Sequence, residues 1–397
     1  MHPLFWALLL LTLFAALLRQ DWIYFLVYIV GGIWLISHWW VRRSLRRLTV
    51  HRTFLHRAFV GDEIDVTLHF RNQSWLPIPW LQIREQVPLD LKSIDEYNIV
   101  LSVGGKSQGE HHYKLLAKRR GYYAVGPLVL RTGDLFGFTY ADWRETNSIN
   151  VTIYPQVLPL YKVGLPSRSP FGNLSSRQRL FEDPTRLSGV RAYAVGDSLR
   201  RIHWKASAHE DNLLVKKFQP AIALDTLIVL DLNRRAYPDK SAFGDSEWAI
   251  VVAASLASYA IGQRQPVGLL TNGLDAPTQQ QAAPLPIRQG QGHLMAILAA
   301  LARIQMHEFE QEFADWLPRR INDMPWGTTI ILVLPRLDEA TLWALHQAYR
   351  RGSNVVVLIC SPQANFQNIR AQAERLGVKV HRSVWESELR ALEGMGQ

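Results

Sequence analysis

Three side chains in one segment have the residue types of a hydrolytic site. Asp197, His203 and Ser207 supply a carboxylate, an imidazole and a hydroxyl within a short stretch of chain. A nucleophilic triad uses these groups, but its geometry rather than closeness in sequence defines it. No G-x-S-x-G nucleophile elbow occurs in the chain. We therefore assign no catalytic residue, and a hydrolase is the alternative function.

Asp231 is a second candidate, because it directly follows an apolar run typical of a buried strand. Ligands of open α/β sheets bind beyond the carboxyl ends of the strands. A hard cation such as Mg²⁺ needs several oxygen ligands there. The sequence Asp231-Leu232-Asn233-Arg234-Arg235 offers one carboxylate beside two arginines. We therefore predict no cofactor, with Mg²⁺ at Asp231 in a metal-dependent adhesion-type domain as the alternative.

Basic and aromatic side chains are concentrated around the first segment, in a pattern that single-strand binders use. They are Arg186, Arg191, Arg200, Arg201, Lys205, Lys216 and Lys217, with Tyr193, Trp204 and Phe218. Basic runs are more commonly solvated faces or lipid contacts. Nucleic-acid binding is therefore the second alternative and is not the expected function. A structural arm, in which His203 and Trp204 pack and Asp197 pairs with an arginine, is the favoured local interpretation.

This segment resembles the hallmark of the domain of unknown function 58 family, roughly R-x-Y-x-x-G-D-x-x-R-x-I-x-W-x-x-S-A. The residues at its positions are Arg191, Tyr193, Gly196, Asp197, Arg201, Ile202, Trp204, Ser207 and Ala208. His209 stands where the family commonly has an arginine. The resemblance implies a bacterial or archaeal membrane protein that is often encoded beside MoxR-type AAA ATPases, without an established biochemical activity.

The same resemblance implies a C-terminal domain similar to von Willebrand factor type A. Such domains often bind a divalent metal through D-x-S-x-S, with a distant Thr and Asp. Here Asn233 and Arg235 replace the two serines. What the resemblance implies for metal binding at Asp231 is weakened accordingly.

Two apolar runs begin the chain, at residues 4–18 and 22–41, and a short polar break separates them. About 20 apolar residues cross a bilayer core, so we predict a transmembrane helical hairpin. Basic residues near a span stay cytoplasmic and aromatic residues mark the interface. These residues are Arg42, Arg43, Arg46 and Arg47, with Trp39 and Trp40. The expected location is the inner (cytoplasmic) membrane, with two spans and with the N-terminus and soluble domains in the cytoplasm.

The remaining chain shows two kinds of hydrophobic pattern. Residues 64–70 alternate between apolar and polar and typify the β-rich stretch at 48–155, which we predict to be an immunoglobulin-like β-sandwich. Beyond residue 221, apolar runs alternate with helical patterns, which favours an α/β domain with a mostly parallel sheet. The predicted domains are 1–47 (hairpin and basic segment), 48–155 (sandwich), 156–220 (signature arm) and 221–397 (α/β domain).

The overall composition favours a globular protein next to anionic lipid. The formal net charge is +10 and 48% of the residues are hydrophobic, and basic proteins are attracted to anionic surfaces. A single cysteine, Cys360, excludes an internal disulfide. We therefore expect a membrane-anchored, non-enzymatic scaffold. Its expected partners are the lipid bilayer and, as the family resemblance implies, a MoxR-type AAA ATPase and other membrane or envelope proteins.

Overall fold

A computed structural model describes residues 3–18, 21–93, 97–145, 148–160, 181–194, 202–210, 212–221, 225–325 and 327–391. The chain divides into two units, Met1–Gln156 and Val157–Gln397. The residues described in the first unit form an apolar helical segment and a β-rich region. Those of the second unit form a small antiparallel sheet and an α/β region.

Two helices, α1 (Pro3–Leu18) and α2 (Asp21–Arg46), open the first unit. They run antiparallel, because Leu8 Cδ1 lies 3.9 Å from where a Cβ on Gly31 would stand. Among the described residues, α2 is the one helix long and apolar enough to cross a membrane. The 16 residues of α1 extend about 24 Å at 1.5 Å per residue. This is less than the roughly 30 Å hydrocarbon core of a bilayer.

The C-terminal end of α2 packs into the β-rich region that follows it. Val41 and Ser44 are buried, and Leu45 belongs to the apolar core of the β-rich region. The indole of Trp40 donates a hydrogen bond of 2.9 Å to the carbonyl oxygen of Pro77. The apolar helix and the β-rich region therefore share one packed structure.

The strands described in the β-rich region form three sheets, ordered β1-β3-β6, β2-β10-β7 and β5-β4-β8-β9. All pairs are antiparallel except the parallel pair β2 and β10. The strands are β1 (Leu48–Thr53), β2 (Arg57–Phe59), β3 (Glu63–Asn72), β4 (Ile78–Glu85), β5 (Asn98–Val103), β6 (Gln108–Leu116), β7 (Gly121–Val125), β8 (Leu128–Gly133), β9 (Tyr140–Glu145) and β10 (Ile149–Tyr154).

Alternation along the strands builds one apolar core between these sheets. Ile64, Val66, Leu68 and Phe70 of β3 are buried, and they share a cluster with inward residues of β4, β6, β8 and β10. The side chains of a strand point alternately to opposite faces. The alternation in the sequence therefore predicts correctly which residues of β3 point inward.

A charged group lies inside this core. The Arg52 guanidinium of β1 pairs with the Glu85 carboxylate of β4, and the Tyr113 hydroxyl of β6 donates to the same carboxylate. Arg52 also bonds the carbonyl oxygen of Val125 at 3.3 Å and Glu145 at 3.4 Å. The side chains of Arg52 and Glu85 are each 2% exposed. Burying an ion is costly unless it is paired. Removing any one of these side chains should therefore destabilise the fold.

The second unit begins with an antiparallel pair of strands, β11 (Phe181–Ala192) and β12 (Leu214–Ala221). The segment between them contains one short described helix, α3 (Trp204–Ser207). The sequence of residues 181–192 has no clean alternation, yet these residues form a strand. The bonding partner of β11 lies about 30 residues further along the chain, and the irregular register between the two strands obscures any clean alternation.

A six-stranded mixed sheet forms the centre of the α/β region, in the order β17-β14-β13-β19-β20-β21. Every neighbouring pair is parallel except β14 and β17. The strands are β13 (Thr226–Leu230), β14 (Val267–Thr271), β17 (Leu285–Arg288), β19 (Thr329–Leu334), β20 (Asn354–Ile359) and β21 (Lys379–Arg382). A small sheet beside it contains β15 (Leu274–Asp275), β16 (Gln280–Gln281) and β18 (Ile304–Gln305).

Helices cover both faces of the six-stranded sheet. One core cluster joins Val229 and Leu332 of the sheet to Leu317, Leu345 and other residues of three helices. The alternate strand residues, such as Ile228 and Val333, are buried on the opposite face. The helices of the α/β region are α4 (Ala242–Gly262), α5 (Gln291–Arg303), α6 (Phe313–Ile321), α7 (Glu339–Arg350), α8 (Phe366–Arg375) and α9 (Glu386–Ala391).

Candidate functional site

The crevice of the six-stranded sheet lies at the carboxyl ends of β13 and β19. The chain leaves β13 for α4 and leaves β19 for α7, and α7 packs on the face that the α6–α8 cluster covers. Connections that leave neighbouring strands toward opposite faces open a crevice between the strand ends. Asp231 follows β13 and Arg336 follows β19 at this position.

Asp231 is buried and is held by the two loops beside it. Its Oδ1 accepts hydrogen bonds from the Asn233 backbone N–H at 2.9 Å and from the Asn272 side chain at 2.7 Å. The amide oxygen of Asn272 accepts in turn from the backbone N–H of Leu232 at 2.7 Å. The hydroxyl of Tyr237 donates to the Asp231 carbonyl oxygen at 2.7 Å. These bonds fix the loop after β13 against the loop after β14.

Asn233 connects this arrangement to a third loop. Its Oδ1 accepts from the backbone N–H groups of Phe309 at 3.2 Å and Arg235 at 3.3 Å. His307 pairs with the same segment, because its N–H donates to the Leu232 carbonyl oxygen at 3.1 Å. Asp231, Asn233 and Asn272, which we call the polar knot, therefore order three loops at one edge of the sheet.

Burial raises the pKa of the Asp231 carboxyl to about 6 from its ordinary 3.8. The bonds from Asn233 and Asn272 and the charge of Arg336 act in the opposite direction and offset part of this rise. A carboxyl with a raised folded-state pKa costs stability once it is ionised. Asp231 is therefore kept at this edge at a cost to the fold.

We expect Asp231→Asn to stabilise the protein in a pH-dependent manner. Between about pH 4 and pH 6 the folded state keeps a proton that the unfolded state has lost, so wild-type stability falls as pH rises through this window. Asparagine carries no such proton, so its advantage should grow to about 1–3 kcal/mol above pH 7. Thermal unfolding of the full chain from pH 4 to pH 8 measures the effect.

Asp239→Asn is the matched control, because the Asp239 side chain is 94% exposed. It should shift the unfolding temperature little and equally at each pH. A gain for Asp231→Asn that does not vary with pH would contradict the assigned ionisation.

The oxygens around Asp231 do not fit a divalent cation. Oδ1 of Asp231 and the amide oxygens of Asn233 and Asn272 each accept a bond of the polar knot. The Thr271 hydroxyl accepts from the Gly273 N–H at 3.0 Å. Across the described part of the chain, no group of three or more His, Cys, Asp or Glu side chains could hold a metal. A hard cation would have to displace these bonds to gather its ligands.

Charged side chains surround the polar knot on its solvent side. Arg235 pairs with Glu308 at 2.7 Å, and both are more than half exposed. This bond raises the pKa of Arg235 and lowers the pKa of Glu308. Arg336 is exposed, and its guanidinium bonds the Arg235 carbonyl oxygen at 3.5 Å. The ordered loops therefore present two arginines and one acidic partner at the edge of the crevice.

The described residues of the signature segment fold around β12. Ile202 is buried and forms a bridge with Val215. The hydroxyl of Ser207 accepts a bond from the Leu214 N–H at 2.9 Å. His203 caps α3, because its Nδ1 accepts from the Ala206 N–H at 3.0 Å. Ser207 and His203 therefore bond to backbone groups and not to each other, in contrast with a nucleophile and its base.

The prediction that Trp204 packs against the protein is wrong, because its side chain is 67% exposed. Val190 and Leu213, in the same part of the second unit, are also exposed large apolar residues. Of the other signature positions, Arg191 is the penultimate residue of β11 and lies two residues before Tyr193, and Ala208 is the C-cap of α3. The predictions for Gly196, Asp197 and Arg201 lie outside the described residues.

The predicted membrane-interface residues lie at the end of α2. Arg42, Arg43 and Arg46 are exposed on the helix and Arg47 directly follows it. The Arg43 guanidinium lies 5.8 Å from the centre of the Trp39 ring, which is within the range of a cation–π contact. The arginines therefore remain available to a charged surface.

Comparison with known proteins supports the resemblance over part of the chain. Residues 189–330 match the family model described as "Protein of unknown function DUF58". This range contains β12, β13, the signature segment and the polar knot. The uncharacterized protein YeaD of Bacillus subtilis (strain 168) is 22% identical over 256 residues, which cover 63% of this chain and 60% of that protein. The match thus spans less than two thirds of that relative's length.

Similarity to solved structures is low. The CARDB domain of a Pyrococcus furiosus protein aligns with 27% of this chain and 91% of its own, at 16% identity and a TM-score of 0.21. Proximal thread matrix protein 1 from the mussel byssus aligns with 44% of this chain and 47% of its own, at 13% identity and a TM-score of 0.31. Neither similarity bears on function.

Proposed function

We propose that this protein is a membrane-anchored, non-enzymatic interaction protein that works with a MoxR-type AAA ATPase in assembly or maturation of an envelope-associated complex. The observation that carries the proposal is the polar knot. Its candidate ligand oxygens already bond the three loops that they order. A crevice whose polar side chains are already bonded to its own loops, and whose edge carries exposed charges, is suited to binding another protein.

We further propose that the β-rich region is an immunoglobulin-like sandwich and the α/β region is similar to von Willebrand factor type A. The shared apolar core of the sheets supports the first assignment. A central parallel sheet with helices on both faces supports the second. In the α/β region, the loops after the parallel strands lie at one edge of the sheet, where the polar knot is found.

The proposed anchor consists of α1 and α2 as two spans in the inner (cytoplasmic) membrane, with the N-terminus and the soluble domains inside. The length of α2 supports one span, and the antiparallel packing of α1 on α2 supports the second. The four arginines at the end of α2 favour the cytoplasmic side. A cytoplasmic location places the charged edge of the crevice, formed by Arg235, Glu308 and Arg336, where an ATPase can reach it.

Reversing the charge of Arg235 and Arg336 together should abolish binding of the ATPase. Both side chains are exposed at the edge of the crevice, and like charges placed against a complementary surface cost several kcal/mol. Affinity isolation of the full chain from native membranes, followed by mass spectrometry, measures recovery of AAA ATPases. We expect recovery to fall about 100-fold or more for Arg235→Glu/Arg336→Glu.

Arg319→Glu/Arg320→Glu is the matched control. Both arginines are exposed at the end of α6, before the chain enters β19 from the opposite edge of the sheet. This variant should keep wild-type recovery. Equal loss of ATPase recovery in the two variants would mean that the net charge of the protein, and not the crevice, determines binding. Failure of the wild-type chain to recover any AAA ATPase would remove the proposed partner.

A further inference from the structure

A cavity of about 240 Å³ lies between part of α2 and the β-rich region, within the first unit. One wall is the second half of α2, from Ile33 to Ser44. The other wall is formed by residues 77–79 at the start of β4 and residues 132–136 at the end of β8. Eleven residues of helix separate Ile33 from Ser44, which gives this wall a length of roughly 16 Å.

The lining is almost entirely apolar, but two buried polar atoms in it are unpaired. The Ser44 hydroxyl oxygen and Asp134 Oδ2 have no hydrogen-bond partner among the described residues. Ser44 is 1% exposed and Asp134 is 9% exposed. Buried polar atoms normally have a partner, so each exception needs an explanation. Both oxygens are enclosed by protein atoms rather than exposed to the cavity, so the surface that a bound molecule would meet is apolar.

The surroundings of the cavity indicate where that molecule comes from. Ile36 lines the cavity and is 61% exposed, so the cavity is open on the surface of the helix proposed to cross the bilayer. Leu135 and Phe136 in the loop after β8 also line it and are 76% and 63% exposed. Large exposed apolar residues beside a span are typical of contact with lipid.

Charge determines which lipid fits. Arg42, Arg43, Arg46 and Arg47 surround Ser44 in sequence and carry four positive charges. Basic clusters that directly follow a span attract anionic headgroups. No acidic residue lies between Trp22 and Arg47 to neutralise them. The arginines do not line the cavity but lie at the C-terminal end of its helical wall, and Asp134 is the one acidic residue in the lining. The end of the helix is therefore suited to a lipid phosphate.

We propose that the cavity is a binding site for an acyl chain of an anionic phospholipid, with phosphatidylglycerol as the lipid tested. This inference rests on the proposed membrane anchoring. The acyl chain lies along the wall from Ile33 to Ser44, and the arginines contact the phosphate. The bound lipid thus seals the contact between the anchor and the β-rich region.

Photochemical labelling in vesicles tests the site. The full chain is reconstituted into phosphatidylethanolamine vesicles that contain phosphatidylglycerol with a diazirine in its acyl chain. After irradiation, mass spectrometry locates the adducts. We expect adducts on residues 132–136 as well as on the outer surfaces of α1 and α2.

Ile36→Trp narrows the cavity, and Leu35→Trp is its matched control. Leu35 is 62% exposed, is adjacent on the same helix and does not line the cavity. Exclusion of two methylene groups should lower adducts on residues 132–136 roughly tenfold in Ile36→Trp. Leu35→Trp should leave them unchanged, and both variants should keep the adducts on the helices.

The other outcomes separate the site from the anchor. Adducts confined to α1 and α2, with residues 132–136 protected, would mean that protein covers the cavity and would overturn the site. Adducts on residues 132–136 that Ile36→Trp does not reduce would overturn it as well. A chain that fails to float with vesicles would overturn the anchoring itself.

Discussion

We expect Glu85→Ala to lower the free energy of unfolding of the β-rich unit by about 3–5 kcal/mol. Glu85 is 2% exposed at its side chain and pairs with Arg52, whose side chain is buried to the same extent. Removing the carboxylate leaves the Arg52 guanidinium without its main counter-charge in the core. It also leaves the Tyr113 hydroxyl without its acceptor. The loss is larger than for an exposed ion pair, which is worth about 0–1 kcal/mol.

Burial raises the pKa of Glu85, while Tyr113 and Arg52 act to lower it. Burial also raises the pKa of Tyr113, and the neighbouring Glu85 adds to that rise. The hydroxyl therefore keeps its proton and donates at neutral pH. Arg52 favours the ionised form of Glu85, and Glu85 favours the protonated form of Tyr113. Loss of any one of these three side chains therefore affects the other two.

Chemical denaturation followed by circular dichroism measures the effect. Glu110→Ala is the control, because Glu110 is a strand carboxylate with a 56% exposed side chain that pairs with His69. It should cost no more than about 1 kcal/mol. The double variant Arg52→Met/Glu85→Leu should recover much of the loss, because it removes both charges. A Glu85→Ala protein as stable as Glu110→Ala would show that the pair is not buried in solution.

Strands and helices with a strong hydrophobic pattern could be located from the sequence. The run at Leu227–Leu230 lies within β13, and the alternation at Ile64–Phe70 lies within β3. These patterns report burial, and burial is what packs an element against its neighbours. The antiparallel edge strand β17 was not predicted, because its four residues include a proline and half-buried side chains.

Side chains that act through distant partners could not be predicted. Arg52 lies in a strand with the sequence Leu-Thr-Val-His-Arg-Thr. Nothing in this short sequence indicates that the arginine side chain is buried. Its partner Glu85 is 33 residues further along. The sequence did indicate Asp231 as the end of a buried strand. It did not indicate Tyr237, which bonds the Asp231 carbonyl oxygen from a loop without regular pattern.

The same limit explains why residue type alone did not indicate the bonding partners of Ser207 and His203. Ser207 and His203 are close in sequence, yet each satisfies a backbone N–H of the turn that it helps to build. Serine and other small polar side chains compete well for such local bonds. Residue type therefore located the segment that the family model matches, whereas only the geometry revealed what the hydroxyl and the imidazole do.

A test of topology has an all-or-none outcome because the chain has one cysteine. Cys360 is 1% exposed, and burial raises the pKa of its thiol well above the ordinary range. A buried thiol that stays protonated reacts poorly, since the thiolate is the nucleophile. A cysteine introduced at an exposed position can therefore be detected over a low background with a membrane-impermeant maleimide.

We expect Lys240→Cys to be labelled only after the inner membrane is permeabilised, and Asp21→Cys to be labelled in intact cells. Lys240 is exposed in the loop before α4, and Asp21 is exposed at the start of α2. If α1 and α2 both cross the bilayer with the arginines inside, the turn between them must face outward.

The two variants act as controls for each other, because the two introduced cysteines should lie on opposite sides of the membrane. Labelling of Lys240→Cys in intact cells would place the charged edge outside and separate it from any cytoplasmic ATPase. Labelling of neither variant until permeabilisation would leave α2 lying against the inner surface, and the proposed hairpin would be wrong.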